Sequence, residues 1–332
     1  MRAAAYSRRG PAERVLRVLD LPDPRPGRGE VRVRIACSAV NPSDIRARRY
    51  ARGPLPFPLI VPHQDGAGTI DAVGPSVPRA RLGERVWVYN ACYGRPFGTA
   101  AEWVVLPSFQ ARPLPEQVPF ELGASLGVPA LTAHRCLFAD GSVRGRSVLV
   151  AGGAGAVGHF AVELARWGGA RVAATASSER KRRLARAAGA ELAVDYRAAD
   201  AAERLRAFAP RGFDRIIEVD LRSNLALDLA VAAPHAVIAV YATGPLAAGR
   251  PRGRPLPRAA VERMMLANLA IRLVWVYGIP DGARRRALAD IAACLRQGAL
   301  SRLPERRFPL ERIADAHLAV ERGAPAKVLV EP

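Results

Sequence analysis

Val148-Leu149-Val150-Ala151-Gly152-Gly153-Ala154-Gly155-Ala156-Val157-Gly158 is the stretch on which the reading of this chain turns. Its apolar run reads as a buried strand, breaks into glycines, and opens a helix-like segment from Phe160 to Trp167. Gly153, Gly155 and Gly158 satisfy G-x-G-x-x-G. In that pattern the first glycine allows a tight turn, the second lets main chain approach a pyrophosphate, and the third permits close helix–strand packing. Main-chain N–H groups at the helix start, Ala156 and Val157 among them, and the positive end of the helix dipole would then meet the phosphates. In a chain with 29 glycines the motif alone is weak. Its position between a strand and a helix is what makes it a dinucleotide-binding turn.

Working outward from this turn, apolar strands alternate with longer helical segments. The strands are expected at Ser147–Ala151, Arg171–Thr175, Glu191–Asp195, Phe213–Val219, Ala236–Tyr241 and Ile271–Tyr277. Between them the pattern predicts helices over His159–Trp167, Ser178–Ala188, Ala201–Phe208, Ser223–Ala232 and Arg258–Leu269. Six strands joined by crossover helices make a doubly wound parallel α/β sheet. The first 120 residues differ. Short β-like runs at Val31–Ala36, Gly68–Val73, Arg85–Tyr89 and Ala101–Leu106, separated by Pro and Gly, suggest an antiparallel, barrel-like domain. The tail, with helical stretches Gly282–Gln297 and Leu310–Arg322 and a strand Lys327–Glu331, is expected to return to that first domain. The expected division is therefore 1–120 with 279–332, and 121–278. The Gly- and Pro-rich loop Thr243–Pro257 is expected to be exposed and mobile.

At 332 residues and 50% hydrophobic content, the chain suits two domains with real cores. The start, Met1 to Tyr6, looks like a strand rather than a secretory signal, and no window approaches the ~18–20 apolar residues of a membrane span. Cys37, Cys92, Cys136 and Cys294 are far apart, which disfavours both a disulfide framework and a cysteine-rich zinc site. A soluble cytoplasmic protein is expected. The net charge of +20 invites a nucleic-acid reading. However, all but two of the 50 basic residues are arginines, spread along the whole chain, as a GC-rich coding bias produces. We read the charge as a field attracting anionic ligands such as a phosphorylated cofactor, not as a nucleic-acid surface.

NAD-selective versions of this fold place Asp or Glu about 20 residues past the glycines, on the ribose 2′-hydroxyl. Here that strand end reads Ala173-Ala174-Thr175-Ala176-Ser177-Ser178, with Glu179, Arg180 and Lys181 following. Small hydroxyl side chains and cations suit a 2′-phosphate, so NADPH is the expected cofactor.

Further stretches carry a family resemblance. They are Ala39-Val40-Asn41-Pro42-Ser43-Asp44, Pro62-His63-Gln64-Asp65-Gly66-Ala67-Gly68, Gly98-Thr99-Ala100-Ala101-Glu102-Trp103 and Leu126 to Ala133, with Phe213 to Glu218 and Ala326 to Val330 later in the chain. In order and spacing the chain resembles medium-chain dehydrogenases/reductases, and among them the zinc-independent quinone oxidoreductases related to zeta-crystallin. The resemblance implies a GroES-like β-barrel catalytic domain, a Rossmann domain, and a homodimer built through the sheet edge at Ile271–Tyr277. It places Lys181, Tyr196 and Ser177 around the adenosine 2′-phosphate, and Asn41 and Thr132 along the nicotinamide and substrate pocket. Zinc-dependent members have Cys where this chain has Asn41, and a His-Glu pair aligned with Gln64-Asp65. With those ligands replaced, no set of three or four remains, and a metal-free site is expected. Asp44 and Asp65 read as structural carboxylates, His63 as a loop histidine, and Arg46, where relatives often have Tyr, as a solvent-facing side chain. The expected activity is NADPH:quinone oxidoreduction. An enone or enoyl reductase, a biosynthetic tailoring reductase, and a non-catalytic NADPH- or RNA-binding protein of crystallin type are the alternatives.

Overall fold

A computed structural model describes residues 1–51, 53–244 and 256–332. Most of the Thr243–Pro257 loop lies outside the described residues. Contacts group the chain into two compact units, 1–128 with 302–332, and 129–301.

In the first unit, strand Glu30–Val40 is central, pairing antiparallel with Asp65–Val73, Trp103–Pro107 and Lys327–Glu331. Val31, Val33 and Ile35 point into the core while Arg34 points out, the period-two pattern of a half-buried strand. From Cys37 onward the alternation ends and four consecutive residues are buried. The strand there leaves the surface and carries Ser38 and Asn41 inside. Strands Arg85–Val88 and Ala111–Pro113 extend the sheet on one side, and Glu305–Pro309 pairs parallel to Lys327–Glu331 on the other. The expected antiparallel β domain is present, with the C-terminal strand inside its sheet.

In the second unit six parallel strands lie in the order third, second, first, fourth, fifth, sixth along the chain. They are Ser147–Val150, Arg171–Thr175, Leu192–Val194, Phe213–Glu218, Ala232–Val240 and Ala270–Leu273. This is the doubly wound order, with its switch point between Ser147–Val150 and Phe213–Glu218. Leu149, Ala173, Val194, Phe213, Ile216 and Ile238 fill one buried layer with Leu205 and Val231 from the helices. The strands are apolar on both faces because helices cover both.

Several boundaries differ from the sequence reading: the first unit runs to Val128 rather than 120, and the fifth strand of the parallel sheet starts at Ala232 rather than Ala236. The last strand ends at Leu273, and Val276–Gly278 is a 3₁₀ turn. Helix Asp281–Arg296 groups with the second unit and not with the first. His134 Nε2 meets Asp290 at 2.7 Å and Trp167 Nε1 donates to Gln297 at 2.8 Å, tertiary anchors that no periodicity reveals. Only from Arg302 does the tail rejoin the first unit.

Candidate functional site

The glycine turn follows strand Ser147–Val150 and leads into helix Ala156–Trp167. The left-handed backbone falls on Gly152 (φ 69°), one residue earlier than the motif assigns the turn. Gly153 is required by packing instead: a Cβ there would lie 2.7 Å from the Cβ of Ala174 on the next strand. At Gly158 a Cβ would meet the Gly152 carbonyl oxygen at 2.2 Å, so the third glycine lets the helix pack against the turn itself. Gly155 is different. A Cβ there would meet only the Gly152 carbonyl oxygen, at 3.4 Å, so the chain's own packing does not demand glycine. Among the described residues no side chain caps the helix that starts at Ala156 and Val157.

At the end of the next strand, Ser177 and Lys181 meet, with Nζ donating to Ser177 Oγ at 3.2 Å. Ser178 caps helix Glu179–Ala187 by accepting the Lys181 main-chain N–H. Glu179 is engaged by Arg182 and Arg186, away from this point. Tyr196 follows strand Leu192–Val194 and is exposed, with the Arg197 guanidinium 5.8 Å from its ring centre. Sequence reasoning missed Arg197. It donates to the Ser177 carbonyl, and its guanidinium and main-chain N–H both donate to Asp195, which holds the Asp195 carboxyl well below the usual carboxylate range. Arg182 also pairs with Asp195, at 3.2 Å. The Asp195 carboxylate is thus neutralised by two guanidinium groups. The signal was the Asp195-Tyr196-Arg197 triplet, read only for its tyrosine.

In the first unit, strand register brings three distant residues together. Ala39 lies opposite Asp65, and Val40 opposite Val328. Asn41 Nδ2 donates to Asp65 Oδ2 at 2.7 Å, and Lys327 Nζ donates to Asn41 Oδ1 at 2.8 Å. All three are buried. Asp65 also accepts the Val128 N–H at 2.9 Å, and a Cβ at Gly127 would lie 2.1 Å from Asp65 Oδ1. Asp44 accepts the Asn41 N–H at 2.7 Å, the helix-start role expected of it. Burial pushes Asp44 up to about 8 and Asp65 up to about 6. It pulls the Lys327 ammonium below the usual lysine range against the support of both carboxylates. Lys327 and Asp65 thus meet the Asn41 amide from opposite sides, the amine at Oδ1 and the carboxyl at Nδ2. Arg46 is half-buried. Thr132 is buried in the second unit, on helix Gly127–Phe138.

His63 lies in the loop before strand Asp65–Val73, as expected, but it does not face water. It is fully buried at φ 79°, a conformation that ordinary side chains rarely adopt. Its Nε2 lies 2.9 Å from Nε2 of His317, and its Nδ1 lies 2.8 Å from Ser38 Oγ. The protons can be assigned from both ends. Arg48 Nε must donate to His317 Nδ1 (3.3 Å), so neutral His317 carries its hydrogen on Nε2 and donates to His63. At the other end Thr99 donates to the Asp65 carbonyl (2.6 Å), so Ser38 donates to Thr99 and accepts from His63 Nδ1–H. Both routes give the same tautomers, with both imidazoles neutral. Burial accordingly lowers His63 to about 3 and His317 well below its ordinary value. The chain ends on a carbonyl oxygen, which cannot pass a proton onward, so it is a lock and not a relay.

The donor set around Asn41 does not fit zinc. Asn41 spends Oδ1 on an ammonium, Gln64 Oε1 accepts the Cys92 N–H at 3.2 Å, and Lys327 brings its own positive charge to the spot. Among the described residues no group of three or more His, Cys, Asp or Glu side chains is arranged around a common point for a metal.

Comparison with known proteins agrees with this architecture. Residues 27–116 match a family model described as the alcohol dehydrogenase GroES-like domain, and residues 156–293 one described as zinc-binding dehydrogenase. A quinone oxidoreductase from Lama guanicoe is 30% identical over 99% of this chain and 97% of its own. Among solved structures, an NAD-dependent alcohol dehydrogenase superposes with a TM-score of 0.86 at 31% identity, covering 100% of both chains. The quinone oxidoreductase of Thermus thermophilus, solved also in complex with NADPH, gives 0.81 at 29% identity, again covering 100% of each. The chain is thus a two-domain oxidoreductase, a GroES-like domain joined to a Rossmann domain. It belongs to the quinone oxidoreductase family of the medium-chain dehydrogenase/reductases.

Proposed function

We propose that this protein is an NADPH-dependent reductase that transfers hydride to a small quinone without a metal. The observation that carries the cofactor preference is the Ser177–Lys181 contact beside Arg197, where the Asp195 carboxylate is consumed by two arginines. A free carboxylate there would hold a ribose hydroxyl, whereas two cations and a serine hydroxyl suit a phosphate. Tyr196 adds an aromatic face at the same point. Main-chain N–H groups of Ala156, Val157 and Gly158, with the open side of Gly155, suit a pyrophosphate, and Gly153 keeps the turn against its strand. The similarity to the Thermus thermophilus enzyme, whose complex with NADPH has been solved, supports the same reading.

When bound, the reduced nicotinamide supplies the hydride, and the protein contributes orientation and electrostatics. Asn41 retains a second Nδ2 hydrogen beyond the one given to Asp65, and this is the donor we assign to the developing quinol oxygen. Thr132 helps to place the nicotinamide. In this reading residues 129–301 hold the nucleotide.

The partner surface is a second copy of this chain, seated on edge strand Ala270–Leu273. There Leu266 (85% exposed), Leu273 (78%) and Trp275 (66%) put large apolar side chains in water beside an open strand edge. Among the described residues no helix is long and apolar enough to cross a membrane.

Steady-state oxidation of NADPH and NADH against naphthoquinones, phenanthrenequinone, enones and crotonyl thioesters tests the activity. Quinone turnover with NADPH preferred is expected. Tight NADPH binding with no turnover of any acceptor would overturn it.

A further inference from the structure

Lys327 lies within the C-terminal strand, 286 residues from Asn41, yet the two side chains meet inside the protein. It is 4% exposed. An unmatched lysine at such depth is costly, and lysines are almost never fully buried unless paired. Its Nζ donates to Asn41 Oδ1 at 2.8 Å and reaches the Val40 carbonyl at 3.4 Å. On the other side of the same amide, Nδ2 donates to Asp65 at 2.7 Å.

The two neighbours differ in kind. An ammonium can only donate, and an ionised carboxylate can only accept. Rotating the Asn41 amide by half a turn would set its NH₂ against the ammonium and its oxygen against the carboxylate. Both hydrogen bonds would become repulsions in a buried site. An asparagine amide normally has two nearly equivalent orientations, and here one is excluded by charge on both sides. Neither charge alone gives the same result. Asp65 would orient the NH₂, but the carbonyl side would keep only the capping-box contact from the Asp44 main chain and no charged donor to oppose rotation.

We propose that Lys327 is a positioning residue for catalysis: by holding Asn41 Oδ1 against Asp65 on the opposite side, it fixes the direction in which the remaining Nδ2 hydrogen meets the acceptor. This inference rests on the assignment of Asn41 as the acceptor's hydrogen-bond donor. It adds that the donor's aim is set from the C-terminal strand. Lys327 acts through Asn41 and need not touch substrate.

The test uses the full-length protein and the variant Lys327→Met, of similar length but unable to donate. Two readouts are taken together. One is the ¹H–¹⁵N signal pair of the Asn41 side-chain amide, identified by its loss in Asn41→Ala. The other is kcat/KM for a naphthoquinone alongside the Kd for NADPH. In Lys327→Met we expect the two amide signals to shift and broaden, kcat/KM to fall at least about tenfold through kcat, and the NADPH Kd to stay within about twofold. Lys327→Arg, which keeps a charged donor, should recover most of the rate. In an Asn41→Ala background, Lys327→Met should have little further effect on the rate. Unchanged amide signals in Lys327→Met, or a full additional loss in the Asn41→Ala background, overturns the proposal. If the wild type turns over no acceptor, the functional reading fails separately, and the amide signals still decide what Lys327 does. Should Met at 327 strand the Asp65 charge and prevent folding, the amide signals of Lys327→Met with Asp65→Asn are compared with those of Asp65→Asn alone, and identical signals in the two overturn the proposal.

Discussion

In the proposed NADPH reading Lys181 carries the cofactor preference on a single ammonium, four residues beyond Ser177 and in contact with its hydroxyl. Lys181→Ala should raise KM for NADPH by the equivalent of about 1.5–3 kcal/mol while leaving NADH almost unchanged, as loss of a charge-assisted contact does. Equal effects on both cofactors in initial-rate measurements would remove Lys181 from the 2′-phosphate. The buried histidines give a second residue-scale outcome. Unfolded, a histidine takes up a proton near 6.5, whereas folded His63 refuses one until about 3, and His317 is likewise lowered. The unfolded state therefore binds more protons below pH 6.5, and these residues withdraw stability as pH falls. Asp44 and Asp65 act the other way, since burial raises them, so the overall acid profile is flattened. His317→Gln isolates the effect, because its amide can accept from Arg48 and donate to His63 as the imidazole does. Relative to wild type this variant should gain about 1.4 kcal/mol per pH unit between pH 6 and 5 in urea unfolding. Parallel profiles would mean that His317 is protonated in the folded protein.

At the scale of elements, the glycine turn shows how one motif divides its labour. Gly158→Ala drives a Cβ into the Gly152 carbonyl and should cost about 1–3 kcal/mol or more, seen as a lowered Tm. Gly155→Ala has room within the chain and should leave Tm nearly unchanged while weakening NADPH binding about tenfold, roughly 1.4 kcal/mol. A Gly155 variant with unaltered NADPH affinity by calorimetry would place the pyrophosphate elsewhere. This turn was legible because its strand, glycines and helix are contiguous. The Ser38–His63–His317–Arg48 chain was not. His63 and His317 are 254 residues apart, and a lone histidine in sequence says nothing of its partner. Arg197 was equally hidden, as one more arginine among many until strand geometry turned it towards Ser177 and Asp195.

For the whole molecule, the exposed apolar strip on the edge strand makes assembly the testable property. Light scattering coupled to size exclusion should give twice the 35.6 kDa chain mass for wild type. Leu273→Glu, which places a charge at the centre of the strip, should give a monomer with an intact circular dichroism spectrum. A wild-type monomer at micromolar concentration would leave the strip without a second copy to cover it.

The amino-acid sequence by itself determined the two kinds of domain and the glycine turn, because periodicity, glycine placement and helix starts are local properties written within a dozen residues. The family resemblance, in turn, implied that Asn41 and Gln64 stand where zinc-dependent members carry metal ligands. Only the tertiary structure decided that Asn41 is held between Lys327 and Asp65, that two histidines lock each other neutral, and that helix Asp281–Arg296 belongs to the second unit. Those outcomes depend on which strands pair and in what register, and burial shifts the protonation of Asp44, Asp65, His63, His317 and Lys327, which the pairing encloses.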